Sequence, residues 1–256
     1  MLEILFRTIY GPELEAVFLC LKQFGSMDTS ELFNYFGTKT DDKKTSSANL
    51  EDALLFLKTA GLVGCRDKKW HALRSSTNID RDTFKLRLLQ KLRKRSKKNR
   101  NHGNTLDPYF MGILEILFNG PDMSYIENLH EKINELDLPL PCSEEKVNAW
   151  RRVMEYLEVG IRGYGGMLVV YRENLVLKII QEWPEQEGPL QQFLEKHFQF
   201  YLPWKTKKGD IAFSLAHPLK QLEENGCISL FARQDLPCKG YLESRKIKWL
   251  KKGEGI

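Results

Sequence analysis

Apolar residues recur at helical spacing near the start of the chain. Leu14, Val17, Phe18 and Leu21 occupy the i, i+3, i+4 and i+7 positions of one helical face. Gly25 follows the last of these positions and is suited to end a helix. The pattern predicts an amphipathic first helix with one buried face.

Polar and apolar stretches continue to alternate after this helix. The segment DTSELFNYFG predicts a short second helix with Asp28 or Thr29 as its N-cap. A polar loop, TKTDDKKTSS, separates it from a third helix, NLEDALLFLKTAG, which a glycine ends. The segment LVGCRDKKWHAL then predicts two short strands around a charged turn. The predicted order is helix, short helix, loop, helix and β-hairpin.

This order of elements resembles a winged-helix domain. The resemblance implies a DNA-binding fold whose third helix enters the major groove, and whose hairpin, the wing, touches the backbone or the minor groove. It is carried by element order and apolar pattern instead of by a diagnostic string. Repetition of the pattern along the chain is therefore the informative test.

The same helix ending occurs twice more. When Gly61, Gly160 and Gly226 are aligned, each glycine is preceded at four and seven residues by an apolar residue or tyrosine. An extended apolar segment and a predicted hairpin follow each glycine. The third hairpin, CISLFARQDLPCKGYL, has its predicted turn near Asp235, and Pro218 is expected to interrupt the helix before it.

We therefore predict a mainly α protein with small β-hairpins, an α+β chain of tandem winged-helix domains. The predicted divisions are a first domain at residues 1–78, a basic helical linker at 79–105, a second domain at 106–172 and a third at 173–256. The third domain is expected to end in a β-hairpin and a basic tail.

The positive charge of the chain is concentrated in the linker. The chain has 39 basic and 34 acidic residues and a net charge of +5. Residues 84–104 contain no acidic residue, and the nine basic ones leave the remainder of the chain at −4. Leu86, Leu89 and Leu92 predict a helix in the first half of this run, and the second half is typical of a fraying helix end or a linker. The basic residues are Lys85, Arg87, Lys91, Arg93, Lys94, Arg95, Lys97, Lys98 and Arg100.

We interpret this run as a segment that contacts nucleic-acid phosphates, because like charges at this density repel one another and a polyanion relieves the repulsion. A solvated interdomain linker or a nuclear-localisation tract would have the same composition. An anionic membrane surface is disfavoured, because the apolar stripe is narrow and the run has no interfacial aromatic residue.

The resemblance implies further contacts in the third helix and the wing of each unit. By position these fall on Lys43, Lys44, Asn49, Lys68 and Lys69 in the first unit, on Lys146, Asn148, Arg151, Arg152 and Arg162 in the second, and on Lys205, Lys207 and Lys208 in the third. Asn148, Arg151 and Arg152 are the candidates for reading bases, because Asn and Arg pair bidentately with adenine and guanine. Acidic neighbours such as Glu51 and Glu144 oppose phosphate binding, so not every unit need touch DNA.

Motifs of catalysis are missing from the sequence. It contains no nucleotide-binding glycine loop, no H-E-x-x-H and no G-x-S-x-G. Asp122 with Glu144 and Lys146 matches the spacing of a metal-dependent nuclease, but the last two begin a predicted helix, where acidic residues favour the helix dipole. The five cysteines form no C-x-x-C pair, so neither a zinc site nor a disulfide framework is indicated. We expect no enzymatic activity, no metal and no cofactor.

The cysteine pattern favours a reducing compartment, and neither a signal peptide nor a long apolar span is present in the sequence. We expect an intracellular protein, cytoplasmic or nuclear, that is not secreted and does not contact a membrane.

The sequence therefore predicts a non-enzymatic nucleic-acid-binding protein whose partner is duplex DNA. It would act as a transcriptional regulator or as a DNA-binding subunit of a larger complex with other protein subunits. The alternative is a protein-interaction scaffold of winged-helix modules without DNA contact. In that case the aromatic residues of the third unit would form the interface: Trp183, Phe193, Phe198, Phe200, Tyr201 and Trp204.

Overall fold

The computed structural model describes residues 3–36, 48–99, 106–136, 138, 140–164, 166–232, 239–240 and 246–253. They form helices and small antiparallel sheets, which confirms the predicted α+β class. The chain divides into two compact units, Met1–Phe110 with Leu138–Tyr156 and Met111–Asp137 with Leu157–Ile256. The finer division into three domains and a linker stays a prediction.

One order of helices and strands occurs three times in the described part of the chain, with two additional strands in the third occurrence. The first occurrence comprises α1 (Gly11–Phe24), β1 (Met27–Asp28), α2 (Thr29–Phe36), α3 (Ala48–Ala60), β2 (Val63–Arg66) and β3 (Lys69–Ala72), and is followed by α4 (Phe84–Asn99). The second comprises α5 (Phe110–Leu117), β4 (Tyr125–Ile126), α6 (Leu129–Asn134), α7 (Glu144–Tyr156), β5 (Val159–Arg162) and β6 (Met167–Tyr171). The third comprises α8 (Glu173–Gln181), β7 (Glu187–Pro189), α9 (Leu190–Lys196), α10 (Phe213–Glu224), β8 (Ile228–Phe231), β9 (Lys239–Gly240), β10 (Lys246–Ile247) and β11 (Trp249–Lys252).

The sheets repeat as well. Within the described residues, three antiparallel sheets have the strand orders β1-β3-β2, β4-β6-β5 and β7-β11-β8. In each sheet the last strand of the occurrence lies in the centre. Trp70 pairs with Met27 and Cys65, and Leu250 pairs with Gly188 and Leu230 at the matching place of the third sheet.

The helix ends explain why the elements begin and end where they do. The Asp28 carboxylate accepts the Glu31 N–H (2.8 Å) and the Glu31 carboxylate accepts the Asp28 N–H (2.7 Å), a capping box that starts α2. The three aligned glycines all have positive φ: 80° at Gly61, 82° at Gly160 and 71° at Gly226. A side chain with a Cβ is strained in this region, so the alignment reflects a shared backbone requirement.

Aromatic side chains fill the core of the first unit. Phe6 meets Phe110 edge-on at 5.2 Å between ring centres, and Phe56 meets the same ring at 6.0 Å. The buried Trp150 indole N–H on α7 donates to the Phe110 carbonyl at 2.8 Å. α7 is therefore held in the core of the first unit.

The second unit buries most of the aromatic residues that the scaffold alternative placed in an interface. Trp183, Phe193, Phe198, Tyr201 and Trp204 are all buried. Tyr171, also buried, donates its hydroxyl to the Pro203 carbonyl at 2.8 Å, and Phe200 is the exposed member of the predicted set. The prediction that these aromatic side chains form an interface is therefore wrong for the five buried ones, which belong to the core.

The third hairpin differs from the prediction. Strand β8 pairs with β11, with Phe231 opposite Trp249, whereas the prediction paired it with the segment that follows directly; the turn expected near Asp235 lies outside the described residues. Residues of the expected basic tail form strand β11. Within this strand the Lys252 ammonium is buried and donates to the Trp183 carbonyl, just beyond the end of α8, at 2.5 Å. Cations stabilise carbonyl groups at a helix C-terminus, which explains why a lysine is accommodated there.

Two other local predictions are corrected. Pro218 lies inside α10 without ending it, and its buried ring packs in the core although one backbone hydrogen bond is lost. The helix predicted for the first half of the basic run is longer than expected, because α4 continues past Leu92 to Asn99.

Candidate nucleic-acid interface

The basic run lies on α4, and its side chains differ in exposure. Phe84, Leu88 and Leu92 are buried on one face of the helix, whereas Lys94 and Arg95 are exposed. The backbone of α4 includes two further predicted contacts, Lys97 and Lys98, but their side chains are outside the described residues. All of Arg100 is outside them. The described part of the run therefore offers its charge at the C-terminal end of the helix.

The earlier basic residues of α4 contact neighbouring groups. The Lys85 ammonium lies 4.9 Å from the centre of the Tyr156 ring, and Arg87 Nη1 donates to Gln90 Oε1 at 2.9 Å. Arg93 is buried, with only 7% of its surface exposed. The predicted phosphate contact at Arg93 is thus placed in the protein interior and not on the surface.

Lys91 lies along α4 between Arg87, which contacts a neighbouring side chain, and the exposed Lys94 and Arg95. Its ammonium donates to the Ser75 hydroxyl at 3.2 Å, and burial together with the nearby Lys94 ammonium lowers the pKa of Lys91. Arg95 lies one turn further, with Nη1 3.9 Å from the place that a Cβ on Gly61 would occupy. The basic end of α4 therefore lies beside the junction of α3 and β2, from which the first wing starts.

The same end of α4 influences a half-buried carboxylate, that of Asp107. Asp107 accepts the backbone N–H groups of Ile4 (3.1 Å) and Leu5 (2.9 Å) and so holds the N-terminal segment. Burial raises the pKa of Asp107, although the two N–H donors and the Arg95 charge act in the opposite direction. The Arg95 charge therefore also interacts favourably with the Asp107 carboxylate of the same unit.

The first wing carries exposed charge on a tight turn. Asp67 (φ 52°) and Lys68 (φ 61°) form a two-residue loop between the paired Arg66 and Lys69, the geometry of a type I′ hairpin. All four side chains are exposed. In the preceding helix Asn49 is exposed at the first turn, and the two predicted lysines before it lie outside the described residues: Lys43 and Lys44.

The predicted base-reading face of α7, assigned by sequence to the second winged-helix domain, contacts other residues of the first compact unit. Lys146 forms an ion pair with Glu3, and the Arg152 guanidinium lies 5.3 Å from the centre of the Tyr10 ring. On the helix itself, two further candidates bond to each other at 2.8 Å, Arg151 to Asn148. All four candidate side chains on α7 are half-buried, so the helix does not present the free polar face that major-groove reading requires.

The remaining predicted contacts lie in the second unit and are exposed. Arg162 ends β5 at the tip of the second wing. Lys205, Lys207 and Lys208 lie in the loop before α10, where Lys205 forms an isolated bridge with Ile211. These four basic residues are accessible to an anionic partner.

Comparison with known proteins adds no relative. Neither a protein-family model, nor a curated protein, nor a solved structure matches the chain. Interpretation of the interface therefore depends on its own geometry.

Two exposed features escaped the sequence analysis. The Lys58 ammonium lies 5.8 Å from the Trp70 ring on the central strand of the first sheet. At the end of α1, Phe24 lies 5.2 Å from Tyr35, which meets Phe36 at 5.1 Å, and all three rings are exposed. Both features join side chains from different elements, so the periodicity of a single element carries no signal for them.

Other kinds of site are scarce in the part of the chain that the structure describes. No group of three or more His, Cys, Asp and Glu side chains there could hold a metal ion. None of the described helices is both long and apolar enough to cross a membrane. Four described cysteines are outside any disulfide: Cys20, Cys65, Cys142 and Cys227. Burial raises the pKa of Cys142 to about 11, which makes its thiol unreactive.

Proposed function

We propose that the chain is a tandem winged-helix protein that binds duplex DNA without catalysing a reaction, as a transcriptional regulator or a DNA-binding subunit of a larger complex. The fold part of this proposal is supported by the strand order of the three sheets, in which the last strand lies between the other two. Winged-helix domains have this order of helices and strands.

The observation that carries the functional part is the position of Lys94 and Arg95. Both are exposed on a helix that contains no acidic residue, and Arg95 lies beside the α3–β2 junction. The wing that starts there adds exposed Lys68 and Lys69, together with Arg66, whose guanidinium lies 3.6 Å from the exposed Asp67 carboxylate, so two neighbouring elements offer cations to the same kind of ligand. A phosphate backbone is the ligand that such a surface accepts irrespective of sequence.

In this proposal the DNA-contacting residues do not include those of α7. Its cations interact with Glu3 and with the Tyr10 ring, and a phosphate would have to replace those contacts. The contact surface proposed here is the end of α4 with the first wing, which we call the α4–wing surface: Arg66, Lys68, Lys69, Lys94 and Arg95.

A fluorescence-anisotropy titration of a short labelled duplex at about 50 mM and about 200 mM salt tests the proposal, since each neutralised phosphate contributes about −0.9 to the slope of log K against log salt. We expect measurable affinity that falls steeply with salt. The double variant Lys94→Gln/Arg95→Gln should bind at least about tenfold more weakly and lower the magnitude of the slope by about two.

The matched control is Lys132→Gln/Lys196→Gln, which removes two exposed charges from other helices. It should retain affinity within about twofold, because it lies outside the proposed footprint. Absence of wild-type affinity, or affinity independent of salt, would refute DNA binding. An equal loss in both double variants would reduce the effect to net charge alone.

A second function, the protein-interaction scaffold, is favoured by one observation. Phe24, Tyr35 and Phe36 form an exposed aromatic cluster in the first unit, and contiguous exposed apolar side chains are typical of protein-binding surfaces. If the chain binds no DNA, the double variant Phe24→Ser/Tyr35→Ser should abolish its association with other subunits, measured by co-purification of the assembly. Retained association would exclude the cluster as the interface.

A further inference from the structure

The tip of the second wing is aromatic, in contrast to the charged tip of the first. Tyr164 at the bend is fully exposed, and Tyr125 on the adjoining strand β4 is 49% exposed. Met123, just before β4, is also exposed. An exposed aromatic ring of this size loses favourable burial unless a partner covers it.

The backbone under Tyr164 is fixed by the sheet. The Tyr125 hydroxyl donates to the Tyr164 carbonyl, and the Gly163 N–H donates to the Gly166 carbonyl at 3.1 Å. A Cβ on Gly163 would lie 2.7 Å from the Tyr125 ring, so glycine is needed for the ring to pass beneath the bend. A Cβ on Gly166 would overlap the Ile126 carbonyl. The ring of Tyr164 is therefore presented from a braced position.

The charges at this tip nearly cancel. Arg162 is exposed at the end of β5, and Glu127 is exposed with its Cα next to Gly166. A phosphate backbone therefore gains little from the tip as a whole. What the tip offers is the exposed ring of Tyr164 with one cation, Arg162, two residues before it in the chain, which suits a nucleobase whose own phosphate meets the arginine.

The shape of the tip also separates a nucleobase from a protein partner. One aromatic ring buries about 150–250 Å², whereas a standard protein interface buries about 800 Å² on each side. A ring that projects from a hairpin matches the area of a single base. Because bases inside a duplex already stack on each other, a ring at a tip has access to an unpaired base, at a duplex end or in a single strand.

We propose that Tyr164 stacks on an unpaired base of a nucleic acid bound by this protein, with Arg162 on the adjacent phosphate. The inference rests on the proposed function, because it requires nucleic-acid binding. It adds a preference for single-stranded segments or duplex ends that the α4–wing surface alone would not give.

The test compares two labelled oligonucleotides of equal length, an ordinary single strand and an abasic strand that keeps the phosphates but lacks the bases. The wild type should bind the ordinary strand more tightly. Tyr164→Ala should bind it about fivefold more weakly or worse, the lower end of base–aromatic stacking, while the abasic strand is unaffected. Tyr164→Phe should restore the preference, and Tyr35→Ala, which removes another exposed ring, should not change it.

Salt dependence supplies an independent readout. Tyr164→Ala removes no charge, so the slope of log K against log salt should stay at the wild-type value, whereas Arg162→Gln should lower it for both strands. A Tyr164→Ala protein with the wild-type ratio of ordinary to abasic affinity overturns the stacking inference and leaves duplex binding intact. A wild type that binds no oligonucleotide, duplex included, overturns the proposed function as well.

Discussion

The end of α4 and the polar face of α7 have similar composition but different surroundings. Lys94 and Arg95 are exposed, whereas Lys146 pairs with Glu3 and Arg152 lies over the Tyr10 ring. Both helices carry the residue types that bind nucleic acid. The difference is whether another part of the same unit already satisfies the charge, and this decides which helix remains available to a ligand.

The largest expected effect tests whether α7 belongs to the core. Trp150→Ala removes a fully buried indole and its 2.8 Å hydrogen bond to the Phe110 carbonyl. We expect the free energy of unfolding to fall by about 3 kcal/mol or more, because a large cavity remains and the indole hydrogen bond is lost. Urea denaturation followed by circular dichroism measures it. A loss below about 1 kcal/mol would mean that α7 is loosely attached and free to bind elsewhere.

The next comparison lies within α4. Arg93 is buried and its neighbour Lys94 is exposed, so the same substitution should act on different properties. Arg93→Gln is expected to lower the free energy of unfolding by about 2 kcal/mol, since a buried charged group loses its interactions. Lys94→Gln should change stability by less than about 0.5 kcal/mol and weaken DNA binding instead. The reverse assignment of the two effects would contradict the orientation of the helix.

A smaller effect separates α7 from the DNA footprint. Arg152→Ala should cost about 1 kcal/mol of stability through loss of the cation–π contact with Tyr10. Duplex affinity and sequence preference should remain at the wild-type values, as measured by anisotropy with two unrelated duplexes. A change in sequence preference would restore α7 as a base-reading helix, as its sequence alone suggests.

The smallest effect concerns Arg95 and Asp107. The Arg95 charge holds the pKa of Asp107 down while burial raises it above the ordinary value, so Arg95→Gln should raise that pKa further. A raised carboxyl pKa contributes stability at low pH that is lost as pH rises through the folded-state value. The variant should therefore lose this contribution at higher pH than the wild type. Carboxyl-carbon NMR titration of Asp107 checks the direction, and an unchanged pKa would place Arg95 out of range.

Local signals were predictable from the sequence where the interactions are local. The periodicity of α1, the N-cap at Asp28 and the helix ends beside Gly61 and Gly226 depend on residues within one or two turns, and the structure confirms them. Leu62 and Cys227, next to these glycines, even donate the same kind of hydrogen bond back into the helix, at 2.9 Å in both places.

The remaining features depend on partners far along the chain. Glu3 forms an ion pair with Lys146 of α7, and the Tyr10 ring contacts the Arg152 guanidinium of the same helix. In the third sheet, Phe231 pairs with Trp249 and not with a residue close to it in sequence. No pattern within a short window distinguishes an arginine that faces solvent from one that faces another segment. The candidate site was therefore predictable as a set of residue types, and its accessible part was not.

The way in which the third sheet closes has a consequence for how the chain folds. Lys248 donates its N–H to the Phe231 carbonyl at 3.1 Å and Trp249 pairs with both Phe231 and Pro189, so the β9–β10 excursion leaves and returns at one point. A longer loop makes closure of this sheet slower than closure of the first, because chain entropy must be lost before any ladder bond forms. Replacement of the excursion by a tight turn should accelerate refolding of the third sheet and leave the other two unchanged.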